Sequence, residues 1–397
     1  MEKTTLLEKE FARKSFLPPF RPTIEDEEIK EVINTLKTDW ITTGPKTKKF
    51  EDLFKKYVDS KNAIALSSCT AALHLSLIAA GVDEGDEVIT SPFTFTSTAN
   101  VVIHQRAKPV FVDIKKDTYN IDPEKIEEAI TDKTKAIIAV HYAGQPCEMD
   151  EILKIAKKND LLVIEDAAHA TGSKYKGKKI GSIGDFTCFS FYAIKNITTA
   201  EGGMITTNND ELAEKIRILS LHGISKDAWK RYSQAGSWYY EVLFPGYKYN
   251  MTDIQASLGI HQLNKIENFI ESKEKIAEIY TKAFADMPEI TEPYIKDNIN
   301  HSWHLYPILI NPDFLKINRN KFIEKLKEEN IGTSVHFIPV HMHPYYREKF
   351  GFKPVDYPNA ENIFNRIISL PLYPKMTDKD AEDVIKAVGR IIDQNKK

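Results

Sequence analysis

The chain has 397 residues, 54 Lys plus Arg against 57 Asp plus Glu, a net charge of −3, and 42% hydrophobic and 28% charged residues. That balance excludes a disordered chain, and at roughly 150 residues per domain the length allows two or three domains, too many for a bare binding module. Near-neutral charge excludes the electrostatic footprint of a nucleic-acid binder, so the expected partner is a small molecule.

Residues 1–16 alternate charge with short apolar pairs and lack the apolar core of a signal peptide. The longest apolar runs, such as residues 161–164, are strand-sized and far short of the ~20 residues of a membrane helix, so no membrane partner is expected. Cys69, Cys147 and Cys188 are widely separated and form no CxxC, which argues against a disulfide framework and a zinc site. The expected compartment is the reducing cytoplasm.

From residue 61 short apolar runs alternate with amphipathic stretches. Residues 62–66 read as a strand, and 70–80, closed by Gly81, as a helix with Leu73, Leu77 and Ile78 at helical spacing. The strand 87–90 precedes a polar, aromatic turn and a short helix; 109–114 precedes the helix 123–130; 135–141 precedes the helix 149–159; the strand 161–165 follows. This alternation predicts an α/β fold with a mostly parallel sheet covered on both faces, and ligands then collect beyond the carboxyl ends of the strands. Next come a helix at 211–220, an aromatic stretch up to Tyr249 that is too long for a plain connector, and a long helix from Asp253 to about Phe284. From about Glu292 the pattern reads strand 303–310, helix 319–330, strand 334–338 and helix 378–394, a smaller α+β unit. The lysine runs 46–49 and 176–179 read as solvated turns.

Residues 186–203, FTCFSFYAIKNITTAEGG, place one lysine, Lys195, between an apolar aromatic run and a glycine pair. Desolvation beside Phe189, Phe191 and Ala193 would lower its pKa and free the amine for attack on a carbonyl, although a lysine after a strand is more often merely exposed. Glu165-Asp166-Ala167-Ala168-His169 lies at the carboxyl end of an apolar strand, where Asp166 would keep a pyridine nitrogen protonated. His169 would approach the ring oxygen or pack on the ring; its plain alternative is a capping histidine. Ser68-Cys69-Thr70-Ala71 opens a helix and suits a phosphate, with the Ser190 hydroxyl as a further donor, while Phe95 offers a stacking face. A phosphate cradle, a stacking ring, a carboxylate and a desolvated lysine on successive loops are together what pyridoxal phosphate needs.

In this order and spacing the chain resembles the fold-type I, pyridoxal-phosphate-dependent DegT-type nucleotide-sugar aminotransferases, from Trp40-Ile41-Thr42-Thr43-Gly44-Pro45 to Leu370-Pro371-Leu372-Tyr373-Pro374. Within that family, residues 191–198 with Ala200-Glu201-Gly202-Gly203, and Pro245-Gly246-Tyr247-Lys248-Tyr249-Asn250-Met251-Thr252-Asp253, are most similar to the enzymes that aminate a UDP-4-keto-pentose. The resemblance implies a large cofactor-binding domain at 20–260 with a mostly parallel seven-stranded sheet, a small C-terminal α+β domain at 261–397, and an N-terminal arm, 1–19, on the small domain. It implies that Lys195 holds the cofactor as an internal aldimine and later moves the proton, and that Asp166 pairs with the pyridinium. By the same resemblance Cys69, Thr70, Ala71 and Ser190 hold the phosphate, Phe95 stacks and His169 meets the ring oxygen.

Lys248 would come from a second subunit of a homodimer; many relatives carry asparagine there. Glutamate would donate the amino group, leaving 2-oxoglutarate, and a nucleotide-linked 4-ketosugar would accept it. Lys226, Lys230, Arg231, His336 and His341 are the candidates for binding the nucleotide sugar. His336, His341 and His343 match no common metal-ligand spacing, so no metal is expected. Shared motifs do not separate a pentose from a UDP- or dTDP-4-keto-6-deoxyhexose aminated at C4 or C3. Outside catalysis, the alternative is a nucleotide-sugar sensor of the same fold, against which an activated lysine argues.

Overall fold

A computed structural model describes residues 12–225 and 239–397. Two helices, α1 (Asp26–Leu36) and α2 (Pro45–Val58), precede the alternating run. That run is β1 (Asn62–Leu66), α3 (Cys69–Ala79), β2 (Glu87–Thr90), α4 (Thr96–His104), β3 (Lys108–Phe111), α5 (Pro123–Ala129), β4 (Thr134–Val140), α6 (Met149–Lys158) and β5 (Leu162–Asp166). A small hairpin, β6 (Lys174–Tyr175) and β7 (Lys178–Lys179), leads to β8 (Phe186–Ser190), β9 (Gly203–Thr207), α7 (Asp210–Ser220) and the long α8 (Asp253–Phe284). The remainder holds β10 (Ile290–Thr291), β11 (Ile299–Asn300), β12 (Tyr306–Ile310), α9 (Arg319–Glu328), α10 (Pro344–Phe350), α11 (Pro358–Arg366), β13 (Ile367–Leu370) and α12 (Asp378–Asn395).

The central sheet has seven strands in the order β1-β9-β8-β5-β4-β2-β3, and only β9 runs against its neighbours. This is the mostly parallel sheet that the alternation predicts. Strand β4 shows why both faces are apolar. Its Ile137 and Ala139 join one core with Phe54, Met149, Ile152 and Ile260, while Ala136 and Ile138 join another with Leu73, Val101 and Ile216. Period-two alternation thus feeds two helical layers.

A three-stranded antiparallel sheet, β10-β12-β13, anchors a separate core with Phe322, Val384, Val388 and Ile391. Helix α8 serves both regions. Its Ala256, Ile260, Leu263 and Ile266 pack in the central-sheet core, and its Ile276, Ala277, Tyr280 and Phe284 in the C-terminal one. The position 260/261 therefore falls inside one continuous helix. Near the N-terminus Leu17 bridges to Ile331 and is buried in the C-terminal core. Among the described residues no helix is long and apolar enough to cross a membrane.

Two local readings are corrected. The expected strand 334–338 is reduced to a single bridge between Ser334 and Ser369. Beyond it the backbone turns toward the central sheet: the His336 carbonyl accepts from Tyr142 Oη at 2.6 Å, Pro339 has no N–H to offer a ladder, and Val340 N donates to the Pro92 carbonyl at 2.7 Å. The lysine run 46–49 lies on α2, where Lys46 pairs with Glu31 and Lys48 with Asp52.

Candidate active site

Strand β5 ends in two carboxylates that alternation sends to opposite faces. Glu165 is fully buried and accepts from Gly184 N at 2.8 Å, Thr187 Oγ1 at 2.7 Å and His141 Nε2 at 2.9 Å. Because His141 Nδ1 accepts from Cys147 N, its Nε2 carries the proton and donates. Glu165 is thus consumed by structure. Asp166, the strand's last residue, accepts from Thr98 Oγ1 of α4 at 2.8 Å and from Ala168 N at 3.2 Å. Burial pushes its carboxyl up, and the Thr98 and Ala168 donors, Lys195 and His141 oppose that push.

Lys195 sits in the turn between β8 and β9, its N–H donating to the Tyr192 carbonyl at 2.9 Å. Burial pulls its ammonium down to about 8, while Cys69 and Asp166 act the other way. The source of desolvation differs from the sequence reading. Phe189 packs on Phe54, and Phe191 on Phe50 and Phe54, so both rings point into the core under the sheet. The neighbours that feel the Lys195 charge are Cys69, Asp166, His169, His304 and His336.

His169 is buried, and its Nδ1 accepts from Ala143 N at 3.3 Å, which leaves the proton on Nε2. Its ring stacks on Phe337 at 5.6 Å and lies 4.3 Å from the His304 ring. Burial first, then Lys195 and His336, hold it well below the ordinary histidine range, so it is a neutral donor. His336 is pulled down to about 3 by burial and Lys195, and its Nδ1 meets Ser369 Oγ at 2.9 Å.

Helix α3 begins where its N-cap Ser68 accepts from Ala71 N at 3.0 Å. Gly203 of β9 lies against this turn: a Cβ there would fall 2.4 to 2.6 Å from the Ser68 carbonyl group and Cys69 N, so the close approach requires glycine. Ser190 pairs with Gly203 in register, and Gly203 with Leu66, which sets the Ser190 hydroxyl on the strand end beside the helix start. Cys69 is buried with its thiol 3.6 Å from the Cys188 carbonyl, so its side chain serves packing, whereas Thr70 is exposed at the turn. Phe95, immediately before α4, is 60% exposed although large and apolar.

These groups suit pyridoxal phosphate: a buried, hydrogen-bonded carboxylate, a lysine of lowered pKa, a neutral histidine, a helix start approached through glycine and an exposed ring. The other candidates are less gathered. Lys226, Lys230 and Arg231 lie outside the described residues. The exposed Lys248 donates to Asn250 Oδ1 at 2.7 Å. His341 is fully buried, with Nε2 3.2 Å from the Pro354 carbonyl and its ring on Tyr357. Among the described residues no group of three or more His, Cys, Asp or Glu is placed to hold a metal ion.

Sequence reading missed Thr98, His304 and Phe337. The threonines of Thr94-Phe95-Thr96-Ser97-Thr98 were one available signal, since Thr94 and Thr98 share a hydrogen bond at 2.8 Å across one helical turn. His304 lay in a segment that reads as strand, but here the regular strand begins only at Tyr306.

The sequence and the fold are matched by known proteins. The model of the DegT/DnrJ/EryC1/StrS aminotransferase family matches residues 22–389. An uncharacterized protein of Methanocaldococcus jannaschii is 67% identical over 384 residues, covering 97% of this chain and all of its own. The spore coat polysaccharide biosynthesis protein SpsC of Bacillus subtilis is 54% identical over 381 residues, 96% of this chain and 98% of SpsC. Spr1654 of Streptococcus pneumoniae, assigned as a sugar aminotransferase and solved in PMP and PLP forms, is similar in structure. Its PMP form superposes with a TM-score of 0.90 at 38% identity, over 95% of this chain and 99% of that one. The chain belongs to the DegT/DnrJ/EryC1/StrS aminotransferase family, as a sugar aminotransferase whose cofactor is pyridoxal phosphate.

Proposed function

We propose that the chain aminates a UDP-linked 4-ketosugar to the 4-aminosugar, with glutamate as amino donor, in a homodimer whose two sites share residues. The observation that carries this reading is the placing of part-buried Lys195 and buried Asp166 in one crevice, each altered electrostatically by the other. Bound there, pyridoxal phosphate supplies the electron sink for breaking a C–H bond and carries the amino group between the two substrates.

The chain's own residues do the rest. Asp166, held by Thr98, would pair with the ring nitrogen and keep that nitrogen protonated. His169 would donate to the ring oxygen, Phe95 would cover the ring, and Cys69, Thr70, Ala71 and Ser190 would hold the phosphate. Lys195 would hold the cofactor, and its Nζ would serve as the base and acid that carries a proton during amino transfer. Lys248 of one subunit reaches the phosphate of the other. Lys226, Arg231, His336 and His341 meet the nucleotide sugar. The division at 20–260 and 261–397, with the arm 1–19 on the smaller unit, belongs to this reading; the contribution of α8 to two cores supports two units, although the change of core falls between Phe269 and Ile276.

Exposed apolar residues support the dimer: Tyr239, Tyr240, Val242, Leu243 and Phe244 form one run at the surface, next to the strand-like segment that carries Lys248. Incubation with glutamate and a panel of UDP- and dTDP-linked 4-ketopentoses and 4-keto-6-deoxyhexoses, with products identified by mass and NMR, tests the assignment. A C4-aminated UDP-pentose as the preferred product supports it. Preference for a hexose, or amination at C3, replaces the sugar but not the chemistry. Turnover unchanged in Lys195→Ala would defeat the whole reading.

A further inference from the structure

Behind the Lys195 turn lies a cavity with room for a water molecule or a small polar group, lined by Arg21, Thr23, Lys195, Asn196, Lys273 and His304 among others. We propose that this cavity takes a carboxylate of the amino donor, with Lys273 as its principal cation. The inference rests on the aminotransferase reading with glutamate as donor.

Lys273 lies on α8 and is 3% exposed. Its ammonium donates to Asn196 Oδ1 at 2.8 Å and to the Ser302 carbonyl at 3.1 Å, two neutral acceptors. Burial alone pulls it down to about 7. A buried ammonium facing only neutral acceptors is destabilising where it stands, and an apolar residue of similar size would fill the space better. An anion in the cavity would change that sign.

The rest of the lining agrees. Among the described residues it contains no Asp or Glu, but it contains the cations Arg21 and Lys273. Thr23 Oγ1 and His304 Nε2 are buried polar atoms with no hydrogen-bond partner among the described residues, and both residues wall the cavity. Glu28, behind Gln262, is already bonded to Gln262 and Lys265 and does not supply the missing charge. A water molecule would satisfy the two orphan atoms yet leave Lys273 without a counter-charge; a carboxylate does both. The place is right for a donor, because Asn196, which holds Lys273, follows Lys195 directly in the chain and Lys195 itself forms part of the wall.

Calorimetric titration of the cofactor-loaded enzyme with glutarate, a dicarboxylate without an amine, separates binding from turnover. We expect glutarate to bind the unaltered enzyme, to lose at least tenfold in affinity in Lys273→Gln and several-fold in Thr23→Val, and to stay within about threefold in Lys273→Arg, which keeps the charge. The glutamate concentration for half-maximal loss of the cofactor's visible band should rise in parallel, with nucleotide-sugar affinity unchanged. Unchanged glutarate affinity in folded Lys273→Gln overturns the proposal and points to a water-filled cavity. An equal loss of nucleotide-sugar affinity overturns it as well, because it marks a structural role. If the unaltered enzyme binds no glutarate and glutamate leaves its band intact, the donor assignment falls and this proposal falls with it; if glutamate still converts the band, only the site is wrong.

Discussion

Lys195 and Asp166 hold each other's charge in place, and the balance sets how the free enzyme takes up its cofactor. With its pKa lowered to about 8, Lys195 is more deprotonated at pH 7 than an ordinary lysine by roughly two and a half powers of ten. Only the neutral amine attacks an aldehyde, so reloading of the cofactor-free protein with pyridoxal phosphate should quicken with pH, about tenfold per unit, and level off above pH 8. Stopped-flow absorbance checks this; a rate still rising steeply at pH 10 would show that the amine is not desolvated. The place of Asp166 was legible in the sequence because an apolar strand ends on it. Thr98 was marked only as one of a run of hydroxyls from Thr94 to Thr98, which does not say that one of them meets a residue far along the chain. Thr98→Val removes a hydrogen bond to a buried carboxylate, worth about 1.5–3 kcal/mol, and should slow amination about tenfold or more while Thr98→Ser restores it.

At the scale of elements, two motifs widely separated in the sequence prove to be one joint. Asp253, the first residue of α8, accepts from Gly44 N at 2.8 Å, Lys46 N at 3.0 Å, and Thr47 N and Thr47 Oγ1 at 2.8 and 2.7 Å. It therefore satisfies the orphan N–H groups at the start of α2, while Asn250 bonds Thr43 from the segment just before. Asp253→Ala should cost about 3–5 kcal/mol, read as a lowered midpoint of urea unfolding, because several buried donors lose one charged acceptor together. A midpoint within error of the parent would mean that water replaces the carboxylate. The same scale shows why legibility was uneven. Helix α8 was read to its ends, since Thr252 and Gln255 form a capping box and the apolar period persists to Phe284. Strands β1, β2, β4 and β5 were placed within one residue, because runs buried on both faces leave little ambiguity, whereas β3 ends three residues before the reading and β8 and β9 were given no bounds. Strands β6, β7 and β11 have two residues each and exist through pairing with one another, so no local period announces them. Strand β13 follows α11 with no residue between them, so no turn announces it, and the segment after Ser334 looked like a strand until tertiary partners claimed its backbone.

At the scale of the molecule, the chain presents half a site's worth of features on a surface that a monomer has little reason to keep. The run Tyr239 to Phe244 is exposed and apolar except at Glu241, and Lys248 lies a few residues further on with its ammonium turned to Asn250 and the solvent. A two-fold interface would bury that run and deliver Lys248 to the partner's α3 turn, making the two sites equivalent. Sedimentation should then give a mass of two chains, and Val242→Asp with Phe244→Asp should give one chain with activity lost. The decisive measurement mixes two impaired proteins. Lys195→Ala and Lys248→Ala homodimers each lack a needed amine at both sites. Unfolded together and refolded as a random mixture, half of the dimers pair one chain of each kind, and in those one site holds both lysines. Activity should recover to about a quarter of that of the parent. If Lys248 served its own chain's site, mixing would restore nothing, because every site would still lack one amine.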